Sequence, residues 1–329
     1  MLRLHPYTYH RPATVSEALA LLAEHAGDVM PIAGGTDLVP NMKHRLFTPG
    51  HLVALKGVEE LHGIAAMGDD GGLRIGACET LDAVASDPVV GERYPALARA
   101  CAEISGPQLR RMGTIGGNLC LDTRCTYYNQ TFFWRKALGF CLKKEGDTCH
   151  VVPGGTRCVA AHSADTPPML MVLGAAAEIA GPEGRRTVPV EELFTSDGVW
   201  NRRMEPGELV TAILLPRPAA GTRTSFQKLR QRQAIDFPIL NLAVAVTLDE
   251  GGVIRELRMV ASAMNSYPRL IGRVRDAAVG NRLTPSVIDA VAEQAYRQCH
   301  PLENIVVDKE WRRAMVPVLV RQALGEIAA

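Results

Sequence analysis

Five of the eight cysteines, Cys120, Cys125, Cys141, Cys149 and Cys158, fall between Thr114 and Asp165. The stretch opens on a glycine turn, Thr114, Ile115, Gly116, Gly117, Asn118, and closes on Ser163, Ala164, Asp165. Tyr127, Tyr128, Phe132, Phe133, Trp134, Lys143 and Lys144 surround the cysteines, with no long helical or strand periodicity. Loops of this length inside a globular chain are functional or disordered, and cysteines and aromatics argue against disorder. Thiolates can hold such a segment by ligating a metal.

Three chemistries compete for those thiolates. Structural zinc sites usually offer a C-x2-4-C pair, and the last four cysteines run C-x15-C-x7-C-x8-C instead. Disulfides fit a secreted chain, and nothing here marks one. An iron–sulfur cluster needs four convergent thiolates and tolerates wide, irregular spacing. The spacing favours a cubane cluster over zinc without deciding between them.

A chain of 329 residues suggests two domains. A net charge of +1 excludes a general nucleic-acid binder, which needs a large basic excess. No apolar run approaches the roughly 18 residues that span a bilayer. The opening residues, through Pro6, lack the apolar core of a secretory signal, so a cytoplasmic location is expected.

The elements that position the cysteine loop follow in order. Thr14 and Glu17 form a capping-box pattern ahead of Val15, Ala18, Leu19 and Leu22, a helix ending near Gly27. A short buried strand over 29–33 runs into Gly34, Gly35, Thr36, Asp37, whose bare backbone N–H groups could meet phosphate oxygens. This is not the G-x-G-x-x-G fingerprint of a dinucleotide fold. Strands over 51–55 and 73–77 are expected to flank a turn at 69–72. Thr80 caps a short helix, and 95–104 reads as a helix packing Leu97, Cys101 and Ile104 inward. Cys78 and Cys101 are expected to be core thiols. Beyond the loop come apolar runs at 169–173 and 176–180, a hairpin turn at 181–184, a return over 186–190 and a strand over 208–215. The linker 216–221 is the best boundary. Strands at 225–229, 242–248 and 254–260 then precede a helix from Thr284 and a last apolar stripe through Met315, Val318, Leu319 and Leu324. Cys299 and His300 read as structural or surface groups. The nine histidines show no H-E-x-x-H or related spacing, and no catalytic triad stands out.

Three motifs carry a family resemblance: Pro31, Ile32, Ala33, Gly34, Gly35, Thr36, Asp37, Leu38; Thr114, Ile115, Gly116, Gly117, Asn118; and Ser163, Ala164, Asp165. Together they resemble the FAD-binding subunit of the molybdenum hydroxylase (xanthine dehydrogenase) family, over nearly the whole chain. The resemblance implies an α+β fold: a PCMH-type FAD-binding domain of two α/β subdomains over 1–216, then a small domain of antiparallel sheet plus helices over 222–329. In most members the second glycine motif runs almost directly into the serine–aspartate pair. Here a cysteine insertion, about 121–162, separates them. That insertion looks like the one in the beta subunits of 4-hydroxybenzoyl-CoA reductases.

From this second likeness follow an FAD and a [4Fe–4S] cluster on Cys125, Cys141, Cys149 and Cys158, with Cys120 left out. The FAD is expected on residues 31–38, with contacts from Ile104, Thr114, Ile115, Gly116, Gly117, Asn118, Thr126, Asp165, Thr187 and Lys228. The implied role is electron relay from a ferredoxin, through FAD and a small subunit with two [2Fe–2S] clusters, to a molybdenum-cofactor large subunit in a dimer of heterotrimers. There 4-hydroxybenzoyl-CoA would lose its phenolic hydroxyl. Two alternatives stay open: the FAD subunit of a related hydroxylase sending electrons outward, and a structural subunit whose cysteine loop binds zinc.

Overall fold

The computed structural model describes residues 2–68 and 71–329; Asp69 and Asp70, in the expected turn at 69–72, lie outside the described residues. The chain begins with Thr8–His10 (β1), Val15–Glu24 (α1), Val29–Ile32 (β2), Leu38–Lys43 (α2) and His51–Ala54 (β3). The strands form a parallel sheet of order β1-β3-β2, whose crossovers are the two helices. Thr14 Oγ1 accepts from the Glu17 N–H at 3.1 Å, while the Glu17 carboxylate reaches back to the Ala13 N–H at 2.7 Å. The expected capping box is therefore present, displaced by one residue.

Ile64–Met67 (β4) and Gly72–Gly76 (β5) lead into the helices Leu81–Ser86 (α3), Pro88–Arg93 (α4), Pro95–Ala102 (α5), Pro107–Arg110 (α6), Ile115–Leu119 (α7), Phe132–Leu138 (α8) and Thr166–Val172 (α9). Ala176–Gly181 (β6), Gly184–Pro189 (β7) and Leu209–Leu215 (β8) complete an antiparallel sheet of order β4-β5-β8-β6-β7. One expectation is corrected here. Strand 51–55 does not meet strand 73–77 across a turn, because β4 lies between and pairs with β5. As an edge strand with only its ends half-buried, β4 carries no clear apolar alternation. Cys101 lies in the main core with Leu97, Ile115 and Ile213, and Cys78 in the smaller core under α1.

Thr222–Leu229 (β9), Leu240–Leu248 (β10), Ile254–Ser262 (β11) and Arg269–Leu270 (β12) form a second antiparallel sheet, of order β12-β11-β10-β9. Val274–Ala278 (α10), Pro285–Gln298 (α11) and Lys309–Ala328 (α12) cover one face. Along β10, Leu240, Leu242, Val244 and Val246 pack with those helices, whereas Ala243 and Ala245 join the main core. The sheet is thus buried on both faces, which locks the two halves together through apolar contact. The stripe expected on α12 is shifted: Val318 is exposed, and Val316, Leu319, Val320, Ala323, Leu324 and Ile327 are buried. Arg312 is buried with them and donates to the carbonyls of Leu302, Ala263 and Ile239. Cys299 is core; His300 is exposed. No helix of the described residues is long and apolar enough to cross a membrane.

A polar joint completes the contact between the halves. Asp165, which precedes α9, accepts from Lys228 Nζ of β9 at 2.8 Å and from Asn241 Nδ2 of β10 at 2.9 Å. Both partners of the ion pair are buried, and Lys228 also donates to the Glu103 carbonyl. Burial pushes the Asp165 carboxyl above its ordinary range, and Lys228 opposes the rise. Lys228→Met, which strands the carboxylate, should cost about 3–5 kcal/mol of stability. Adding Asp165→Asn should recover most of that loss in urea unfolding; a double variant no more stable than Lys228→Met would show that the pair is not the joint.

Candidate functional site

Between the parallel sheet, the antiparallel sheet and the cysteine insertion lies a cavity of about 900 Å³, within the range of pockets that enclose a small-molecule cofactor. The whole segment 31–38 lines it, joined by Ile104, Thr114, Gly116, Gly117, Asn118 and Asp165. Ile115 points away into the core. Thr126 and Thr187 are not on its walls: the Thr126 N–H donates to Asn304 of the second half, and Thr187 is exposed on the edge strand β7. Lys228 reaches the cavity only through Asp165. Both oxygens of Asp165 already accept hydrogen bonds, from Lys228 and Asn241, so its capacity to accept from a ligand is partly engaged by the protein itself.

The two glycine motifs do different things. In the first, the N–H groups of Gly34, Gly35, Thr36, Asp37 and Leu38 have no acceptor among the described residues. They are donors open to a ligand, at the start of α2. Gly34 packs so closely on the 112–113 backbone that a Cβ would fall 1.9 Å from the Met112 carbonyl oxygen, and Gly35 holds φ at +69°. Side chains are excluded at Gly34 by contact and disfavoured at Gly35 by conformation.

The second motif is corrected from an open turn to the one-turn helix α7. Its Ile115, Gly116 and Asn118 N–H groups donate to the carbonyls of Glu79, Ala77 and Thr114, and the Gly117 N–H to Thr114 Oγ1 at 3.1 Å. None of these donors remains for a phosphate. A Cβ on Gly116 would strike Ala77 at 2.7 Å, so this glycine serves close packing of helix on strand. Gly117 is exposed to the cavity, with only Thr114 Oγ1 near its missing Cβ. Asn118 Oδ1 accepts from the Thr166 hydroxyl at 2.7 Å and its N–H at 3.1 Å. The chain therefore returns from the insertion to the point it left.

Inside the insertion, two short pairings gather the cysteines. Arg124 and Ala161 exchange N–H···O bonds of 2.8 and 2.7 Å, which bring Cys125 toward Cys158. The Leu142 N–H donates to the Thr148 carbonyl at 2.8 Å, which sets Cys141 opposite Cys149. Lys143 ties the pairs together. Its buried Nζ donates to Asp122 and Thr123 at 2.7 Å and to the carbonyl of Gly198, whose own N–H donates to the Cys158 carbonyl.

The thiols sense this crowding. Burial pushes Cys125 up to about 11 against the Tyr127 N–H that bonds it, and Cys158, Cys141 and Cys149 add to the rise. Burial also takes Cys158 to about 11, opposed by the Ala160 N–H and by Lys143. No three cysteine sulfurs among the described residues lie within 4.8 Å of one another. A single tetrahedral zinc at Zn–S near 2.3 Å would need sulfurs roughly 3.8 Å apart, closer than any three of these sulfurs lie. Cys120 stands apart, partly buried on the cavity wall beside α7. The one helix of the insertion, α8, is capped by Thr131 and stopped by left-handed Gly139.

The insertion is also a wall of the cavity, which the motifs did not foretell. Asp122, Arg124, Tyr128 and Lys143 all line it. Arg124 pairs with Asp37 of the first glycine segment at 3.0 Å and lies 3.9 Å over the Phe237 ring. Burial raises the Asp37 carboxyl, and Arg124 opposes it. The only sequence signal for Arg124 and Lys143 is their place within two residues of a cysteine. The loop bearing Ile235 and Phe237 closes the other side, held by the Ile235 N–H on the Ser105 carbonyl.

Known proteins resemble this chain over nearly its whole length. Residues 5–218 match the family model "FAD binding domain in molybdopterin dehydrogenase", and residues 224–327 match "CO dehydrogenase flavoprotein C-terminal domain". The carbon monoxide dehydrogenase medium chain of Afipia carboxidovorans is 31% identical over 98% of this chain and 97% of its own. A putative xanthine dehydrogenase FAD-binding subunit of Escherichia coli is 27% identical over 98% of this chain and 96% of its own. Among solved structures, carbon monoxide dehydrogenase from Hydrogenophaga pseudoflava superposes with a TM-score of 0.80 at 28% identity, covering 98% of this chain and 97% of that one. Cavity, glycine segments and family matches agree: the chain is an FAD-binding oxidoreductase subunit of the molybdenum hydroxylase family.

Proposed function

We propose that this subunit relays electrons between an inserted [4Fe–4S] cluster and FAD, serving a molybdenum enzyme of the 4-hydroxybenzoyl-CoA reductase type. The observation that carries the reading is the gathering of the four thiols on the insertion whose Asp122, Arg124, Tyr128 and Lys143 line the cavity that would accept the flavin. Cluster and flavin, when bound, supply one-electron and combined one- and two-electron chemistry respectively. The chain's own residues do the holding. The open N–H groups of 34–38 would take the pyrophosphate, Gly117 would let the cofactor approach α7, and Asp165, fixed by Lys228 and Asn241, would border it. Cys125, Cys141, Cys149 and Cys158 would ligate the cluster, while Lys143 and the N–H groups of Tyr127 and Ala160 offset the charge of their thiolates. Thr126 and Lys228, bonded to Asn304 and Asp165, would act as supports, and Thr187 is exposed on β7 away from the cavity wall.

On this reading the cluster is the port for a low-potential donor such as ferredoxin. A [2Fe–2S] small subunit and a molybdenum-cofactor large subunit, in a dimer of heterotrimers in the cytoplasm, are the downstream partners. The substrate is bound by the large subunit. The second reading, an FAD subunit of a related hydroxylase acting on another aromatic or heterocyclic substrate, draws support from relatives described as carbon monoxide, xanthine and nicotinate dehydrogenase subunits. Turnover of 4-hydroxybenzoyl-CoA against other aryl substrates by the assembled complex separates the two.

Gly117→Val should weaken flavin binding at least tenfold, about 1.4 kcal/mol, with the fold kept, because its side chain enters only the cavity and the Thr114 cap. Gly34 and Gly35 are poorer tests, since contact and φ confound them. Flavin retained at wild-type affinity would refute the placement.

Cluster ligation is tested by iron per chain and EPR of the reduced protein. Serine at Cys125, Cys141, Cys149 or Cys158 should lose or degrade the cubane, because alkoxide is a harder donor than thiolate. Cys120→Ser should keep its iron. Loss in Cys120→Ser with retention in any of the other four would show that the ligand set is wrong.

A further inference from the structure

The histidines show no ligand spacing along the chain, yet three of them meet in the fold. His10 ends β1, His51 opens the neighbouring β3, and His25 is the residue that terminates α1. Helix α1 packs Val15, Ala18 and Leu22 with Val53, on the face of β3 that His51 shares by strand alternation. One ring nitrogen from each histidine lies within 4.8 Å of the other two. His10 Nε2 is 2.9 Å from His51 Nδ1. The His25 and His51 rings stack at 3.7 Å with planes 11° apart, and His10 lies 5.1 Å from His25. All three are half-buried.

We propose that His10, His25 and His51 bind a divalent late first-row cation, zinc foremost, at the outer end of the parallel sheet. Imidazole nitrogen suits zinc, copper and nickel, and three such ligands leave a fourth position for water. At Zn–N distances of about 2.0–2.1 Å, two ligand nitrogens sit roughly 3.3 Å apart. The His10–His51 pair must therefore open by only about 0.4 Å from its hydrogen-bonded separation. His25 must turn its ring out of the stack. The end of α1 presents the negative pole of the helix, which favours a cation. The Glu24 carboxylate lies 3.9 Å from His25 Nε2. Glu17 and Glu24 also border a hollow of about 330 Å³ beside His10, with Arg11 on its rim, and this gives an ion an approach from solvent. A cation bound there clips β1, α1 and β3 together and stabilises the folded chain by mass action.

The test uses tag-free, flavin-loaded full chain freed of exchangeable metal by chelation, titrated with zinc alone. Metal per chain and calorimetry should report one zinc site that survives Cys149→Ser. His25→Gln and His51→Gln should each weaken that site more than about 100-fold, beyond the 10–100-fold typical of losing an outer-shell partner. Cobalt substituted for zinc should give tetrahedral d–d bands without thiolate charge transfer. Variants that bind zinc within threefold of wild type would overturn the proposal, and so would a wild-type cobalt spectrum showing thiolate bands alone. Should His51→Gln not fold, His10→Gln on the edge strand makes the same comparison.

Discussion

Asp165 is where the molecule is fastened. It closes the cysteine insertion, opens α9, borders the cavity and takes Lys228 and Asn241 from the second half. A buried carboxylate survives only when paired and hydrogen-bonded, so the two sheets are held to one relative placement. Thr166, its neighbour, is tied to Asn118 on the near side of the insertion. The chain thus leaves and re-enters through two adjacent points. A segment between fixed, touching ends adds little loop-closure cost to the rest of the fold, which explains how a stretch rich in thiols can occupy this junction.

Buried cations recur wherever irregular chain must be held. Lys143 joins the Cys141 hairpin to Thr123 and Gly198; Arg135 joins α8 to Glu145 and the Arg45 carbonyl; Arg312 joins α12 to three separate carbonyls. Each long side chain carries several donors and so satisfies backbone acceptors that no ladder reaches. In the insertion this work falls to Lys143 and to Arg135, which sits on the insertion's two-turn helix. Lys143 also faces the cavity and lowers Cys158, so the clamp that shapes the thiol nest is continuous with the cofactor wall.

Two motifs that look alike on paper separate into a donor surface and a packing surface. The first leaves its N–H groups open; the second spends them on Glu79, Ala77 and Thr114. The difference arises because the backbone of 114–118 leans on the strand end at Ala77, whereas the 34–38 backbone leaves β2 without an acceptor for its N–H groups among the described residues. Between them the cavity offers hydrogen-bond donors on one side and a smooth glycine surface on the other.

The sequence alone determined what local physics controls. Thr14 and Thr80 cap the helices they were expected to cap, a helix follows Thr284 as its period implied, and alternation located β10 and β11. The glycine motifs carried the family. Tertiary structure decided which N–H groups stay open, that Arg124 and Lys143 line the cavity, that Arg312 is buried, and that His10, His25 and His51 converge. It also inserted β4 and shifted the stripe on α12. Caps and periodicities act over a few residues and leave a pattern in the chain. Lys228 meets Asp165 across 63 positions and Glu103 across 125, and a contact of that span leaves no local pattern, because burial by the finished fold creates it.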